Sequence, residues 1–173
     1  MARTLATAFR SDFESPNAIN PVLVFLILSH PLWATPIRVV NDVVNYTWNS
    51  QIHFGFPFAM EYLADDEKPP RGQLTIQNVD RILGESILNL VYGPYLEVDV
   101  LSAADWNTVI DGTSNSRLPV GTPTLELSAK NLQLWDITVT PQTITAAFGP
   151  ADITQELWPK VRCTKDNTPG LFR

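Results

Sequence analysis

The sequence is poor in the residues that most small functional sites require. It has one cysteine, Cys163, and two histidines, His30 and His53, so an intramolecular disulfide is impossible and no recognisable zinc-ligand set exists. Its 8 glycines are scattered, and none leads from a strand into a helix with phosphate-loop spacing. Basic charge is also scarce: 12 Lys and Arg against 18 Asp and Glu give a net charge of −6, the opposite of a nucleic-acid footprint. Long apolar runs are missing as well. The longest plain stretch, Val22 to Leu28, has seven residues, whereas a membrane-spanning helix needs roughly 20. Arg3 and Arg10 precede that stretch, but Asp12, Glu14 and Pro21 break the flank a signal peptide would need. No cofactor, metal or direct membrane insertion is therefore expected.

What remains is a chain of 173 residues, enough for one domain that buries most of its apolar surface, with one core and arms. Charged residues make up only 17%, below the roughly 25% of an ordinary soluble domain, while there are 14 prolines and 5 tryptophans. Low charge suits contact surfaces, and it also describes ordinary β domains.

Periodicity divides the chain into a helical segment or arm over 1–18, a β-rich core over 19–149 and an extended tail over 150–173. Leu5, Ala8 and Phe9 fall on one helical face before Ser15-Pro16-Asn17, so a short helix is expected over 2–13. It either packs on its own domain or grips a neighbour. Val22–Leu28 reads as a buried strand and Ile37–Asn41 as its partner across the proline-bearing link His30–Pro36. Tyr46–Trp48 and His53–Tyr62 follow around Asn49-Ser50-Gln51, with Phe54, Phe56, Phe58 and Met60 at period two. Asp65 and Asp66 lie in an acidic loop. Gln73–Gln77 is a further strand, and apolar spacing predicts a helix near 79–92 ending at Gly93-Pro94. Leu96, Val98 and Val100 alternate with Glu97 and Asp99, one buried face and one wet face. Residues 102–122 read as a loop carrying Trp106. Thr124–Ala129, Leu132–Thr140 and Thr143–Phe148 form a meander with turns at Lys130-Asn131 and Pro141-Gln142. The fold class is thus mainly β with one or two short helices (α+β), an antiparallel barrel or sandwich.

No nucleophile motif surrounds any serine or histidine, and Asp65-Asp66-Glu67 matches no cation-loop spacing, so no catalytic residue is assigned and an enzyme is not expected. Trp33, Trp106 and Trp158 would suit protein anchoring, carbohydrate stacking or simple capping of the core.

Several blocks carry a resemblance. Pro21–Leu28, Ile37-Arg38-Val39-Val40-Asn41-Asp42, Phe56-Pro57-Phe58, Pro70-Arg71-Gly72-Gln73-Leu74-Thr75-Ile76-Gln77-Asn78-Val79-Asp80-Arg81 and the closing Pro169-Gly170-Leu171-Phe172 resemble a family of phage tail proteins of otherwise unassigned function. The order of elements is also similar to the first half of the lambda-type minor tail protein L family. That family continues into a cysteine-rich iron–sulfur region, whereas this chain has only Cys163, so no cluster is expected. The resemblance implies a structural component of the virion tail tip or baseplate, made in the bacterial cytoplasm, forming a closed homo-oligomeric ring, trimeric by preference or hexameric, between the tail tube and distal-tail proteins and the central hub or fibre. The alternative is a carbohydrate or receptor-binding module of the tail. Interface candidates are Leu5, Phe9, Trp33, Asp65, Asp66, Trp106, Trp158, Leu171 and Phe172; the acidic pair would face the lumen and repel DNA, or form an outward solvated turn.

Overall fold

The computed structural model describes residues 7–14, 20–61, 71–77, 82–90 and 92–150. Within them the chain is mainly β with two short helices: α1 (Thr7–Glu14), β1 (Val22–Ser29), β2 (Ile37–Val40), β3 (Tyr46–Trp48), β4 (Gln51–Gly55), β5 (Phe58–Glu61), β6 (Gly72–Gln77), α2 (Ile82–Leu88), β7 (Tyr95–Ser102), β8 (Trp106–Asp111), β9 (Ser116–Pro119), β10 (Leu127–Val139) and β11 (Thr143–Pro150). The strands form one mixed sheet in the order β5-β6-β11-β10-β7-β1-β2-β4-β3-β9-β8. Most pairs are antiparallel, as expected, but β2 and β4 run parallel, and so do β3 and β9.

The sheet curls without closing into a barrel. Segment 51–61 joins β2 through β4 at one end and β6 through β5 at the other, and the ladder breaks at Phe56-Pro57 between them. Proline supplies no backbone donor, so the run expected as one strand becomes two. Phe56, Phe58 and Met60 pack inward on the core, while Phe54, on the other side of the break, is exposed.

The centre of the sheet is the β1–β7 pair, in register from Val22↔Ser102 to Ser29↔Tyr95. A strand buried on one face alternates apolar and polar residues, whereas β1 is apolar at every position from Val22 to Leu28 because both its faces are covered. Buried residues accordingly sort into two clusters and not one. Val24, Leu26 and Leu28 point into the first, with Leu96, Val98, Leu74, Leu134 and Phe148. Leu23 and Phe25 point into the second, with Val40, Tyr46, Leu101 and Trp106. The expected wet face of β7 is therefore covered: Asp99 is buried beside Leu101, its carboxylate accepting from Trp48 Nε1–H at 3.2 Å and Ser128 Oγ–H at 2.7 Å.

Local chemistry explains the turns. Asn49 and Ser50 both have positive φ, +49° and +59°, as a two-residue hairpin between Trp48 and Gln51 demands. Thr140 and Thr143 close the link over Pro141-Gln142 with N–H donation from Thr140 to Thr143 O at 2.8 Å. Lys130-Asn131 is not a turn: β10 runs straight through it, and Asn131 (φ +58°) absorbs the register shift between Ala129 and Leu132 as a bulge. A second irregularity at Asp136 (φ +51°) changes the alternation, so that Ile137 packs on the same cluster as Leu134. Helix α2 ends at Leu88, before the expected end near 92, while the expected start at 79–81 lies outside the described residues.

Asn41 ends β2 by imitating a further rung. Its Oδ1 accepts from Val24 N–H at 2.7 Å, its Nδ2 donates to Val22 O at 3.4 Å, and its own N–H donates to Val24 O at 3.2 Å. Asn41→Ala should leave the Val24 amide without its partner at a part-buried site and cost about 1–3 kcal/mol, measurable as a lower denaturant midpoint with an unchanged slope.

Candidate functional site

The second cluster and the hairpin that covers it make up the most distinctive chemistry of the chain. Residues 102–122, read as a loop, contain a 3-10 turn at Ala103–Asp105 and then the hairpin β8–β9. Its polar residues concentrate at the tip, where Asp111 Oδ2 accepts from Thr113 N–H at 3.2 Å, Ser114 N–H at 2.8 Å and Ser114 Oγ–H at 2.8 Å. These bonds favour the charged carboxylate and hold the Asp111 pKa below its usual value, the Ser114 bonds first among the causes.

A polar network ties this hairpin to β3. Arg117 Nη1 donates to Tyr46 Oη at 2.9 Å, and the Tyr46 hydroxyl donates to Asp42 Oδ2 at 2.5 Å. Burial, reinforced by Asp42, pushes the Tyr46 phenol up to about 12, so it remains a neutral donor. Asn45 holds both sides: its Nδ2 donates to Asn115 O at 3.1 Å and its Oδ1 accepts from Gly55 N–H at 2.9 Å. Thr47 Oγ1 and Ser116 Oγ share a 2.8 Å bond. Inside, Phe25 stacks on Trp106 at 5.4 Å and meets Tyr46 edge-on at 6.2 Å, while Trp106 Nε1–H donates to Thr47 O at 3.1 Å. Network and rings together anchor the hairpin to β3 and to the second cluster.

The exposed stretch of β8 carries Asn107 and Thr108 followed by two apolar residues. Strand β8 ends the sheet, so its outer edge pairs with no described strand. Val109 is 76% exposed, Ile110 45% and Val120, just beyond β9, 61%. Natural edge strands are guarded by charge, proline or bulges; β8 has no proline and no charge before Asp111, and its pairing with β9 is irregular between Trp106 and Ile110.

The residues expected at an interface are placed differently. Phe9 and Trp33 pack against the first cluster, Phe9 buried and Trp33 partly so. Trp106 is 4% exposed inside the second cluster, so its ring serves the chain's own core and is not available to a partner or a sugar. Leu5, Asp65, Asp66, Trp158, Leu171 and Phe172 lie outside the described residues. The edge residues Val109 and Ile110 went unnoticed; the signal for them was a β-branched pair inside a stretch otherwise rich in Ser, Asn and Asp. Among the described residues no group of three or more His, Cys, Asp or Glu side chains is placed to hold a metal ion. No family model matches the chain, and no curated protein matches it.

Proposed function

We propose that this chain is a structural subunit of a bacteriophage tail tip, one member of a ring that links the tail tube to the central hub. The observation that carries the reading is the outer edge of β8, where Val109 and Ile110 are exposed on a hairpin anchored to β3 through Arg117, Tyr46 and Asp42. The sequence blocks that resemble phage tail proteins supply the biological setting. A ring requires a heterologous contact whose rotation closes, and an exposed strand edge offers both backbone hydrogen bonds and apolar area for one. A trimer is preferred and a hexamer is the other option.

The test is the mass of the full chain, alone and co-expressed with tail-tube and hub proteins, by native mass spectrometry. A trimer, a hexamer or a stable complex with those proteins supports the reading. A monomer that ignores them and binds glycans overturns it in favour of a receptor-binding module. The double variant Val109→Asp, Ile110→Asp should weaken assembly by at least about tenfold, since assembly would then desolvate two carboxylates where apolar side chains had packed. Its monomer stability should move by no more than about 1 kcal/mol, because both side chains are already exposed.

A further inference from the structure

The two histidines are buried, and each has an Nε2 without a hydrogen-bond partner. They differ in what the other ring nitrogen does. His30 Nδ1 accepts from Leu32 N–H at 3.2 Å, so its proton resides on Nε2. His53 Nδ1 lies 3.3 Å from Gln51 O, an acceptor, so its proton resides on Nδ1 and Nε2 presents a bare lone pair to the interior. His53 is 1% exposed, and Phe25 meets its ring edge-on at 5.0 Å. A proton arriving at Nε2 would create a cation there with no acceptor to receive it.

We propose that His53 is an acid-triggered latch: protonation of its Nε2 opens the second apolar cluster and frees the β3–β4 and β8–β9 hairpins from the central strands, while the first cluster stays closed. The connectivity allows such local release. The β3–β4 hairpin joins the main sheet through two register pairs only, Val39↔Phe54 and Val40↔Gly55, whereas β1–β7 alone spans Val22–Ser29 and Tyr95–Ser102. The β8–β9 hairpin in turn reaches the rest of the sheet through β3, by the single pair Tyr46↔Arg117 and the network around it.

Charged and titratable groups surround the ring from each packed strand. Arg38 on β2 opposes a cation at His53, and the buried Asp99 on β7 favours one. Tyr46 on β3, the register partner of His53, has its hydroxyl occupied by Asp42 and Arg117. Trp106 of β8, an uncharged indole, stacks on Phe25. Burial outweighs Asp99: the folded ring is held down to about 4 from an ordinary 6.5, with desolvation the first cause. The open form therefore binds the proton more tightly. The latch is fully closed above about pH 6.5 and loses closing free energy as pH falls from there toward about 4.

Amide hydrogen exchange of the full chain between pH 7 and 4, corrected for intrinsic rates, tests this directly. One proton taken up on opening raises the opening constant about tenfold per pH unit within that window. The rise is expected at 46–55 and 106–119, whose opening constants should exceed those of β6, β10 and β11 at every pH, since global unfolding frees the same ring and gains the same slope from a lower base. The rise should disappear in His53→Gln, persist in His30→Gln and persist in Asp99→Asn. Equal opening constants in all strands, a slope retained in His53→Gln, or a slope that vanishes in Asp99→Asn instead would overturn the latch. Should His53→Gln fail to fold, the ring titration of His53 in the unaltered chain decides by NMR: coincidence with opening of 46–55 supports the proposal, and titration near 6.5 with those amides still protected defeats it.

Discussion

Replacing Phe25 by alanine is expected to lower stability by about 3–5 kcal/mol, the range for truncating a buried aromatic, or on the order of 10 °C in Tm for a chain of this size. Phe25 is fully buried and touches every ring that defines the second cluster: Tyr46, Trp48, His53 and Trp106, with centroids between 5.0 and 6.4 Å. The cavity cannot collapse easily, because the surrounding rings are pinned by hydrogen bonds from Trp48 to Asp99, from Trp106 to Thr47 and from Tyr46 to Asp42. A site that cannot relax bears the cost of the missing packing as well as the lost transfer free energy. The loss should also be unevenly spread. Phe25 faces away from the first cluster, which retains Val24, Leu26 and Leu28 on the opposite side of the same strand. Near-ultraviolet circular dichroism should therefore lose much of the signal of Trp48 and Trp106, while exchange protection in β6, β10 and β11 persists below the lowered Tm. Equal loss of protection across both clusters would show that they form one cooperative unit.

This division also explains how much of the fold was legible in the sequence. The first cluster is built from residues with plain periodicity, Leu96, Val98 and Val100 on β7 and Leu74 and Ile76 on β6, and those strands fall where alternation places them. The second is built from side chains whose polarity hides their burial. Tyr46, His53, Asp99 and Ser116 are each buried because a specific partner, or in His53 a neutral ring, removes the usual penalty. No local pattern signals such partners, since Thr47 and Ser116 meet across 69 positions. The same blindness turned the β8–β9 hairpin into a loop and left Asp99 on a wet face. Positive-φ asparagines misled in a related way. Asn49 and Asn131 have the same local chemistry, yet Asn49 turns the chain and Asn131 only bulges it, because β7 continues to pair beyond the bulge, Ala129 with Val98 and then Leu132 with Leu96. The candidate edge was legible only as Val109-Ile110, and its exposure depends on Trp106 turning inward at the start of the same strand.

The other large effect is expected from a single methyl group. Gly93 lies in the link between α2 and β7, where a Cβ would stand 1.8 Å from the Leu134 carbonyl oxygen and 2.8 Å from its carbon. Both are backbone atoms of β10, so no rotamer change can relieve the overlap. Leu134 is buried in the first cluster, and its N–H donates to Pro94 O at 3.0 Å. Relief would require the link to lift off β10, breaking that bond and unseating Leu134 together. Overpacking ordinarily costs about 1–3 kcal/mol, and a clash with immovable backbone belongs at the top of that range or beyond it. Gly93→Ala is therefore expected to destabilise the chain by about 3 kcal/mol or more. Gly112→Ala is the matched control: a Cβ there meets nothing within 4 Å, so the change should stay within about 0.5 kcal/mol. Chemical denaturation of the two variants beside the parent chain separates space from backbone entropy, because both lose a glycine and only one acquires a collision. Equal midpoints for the pair would mean that β10 gives way at Leu134, and that the packing between the link and the first cluster is looser than its geometry implies.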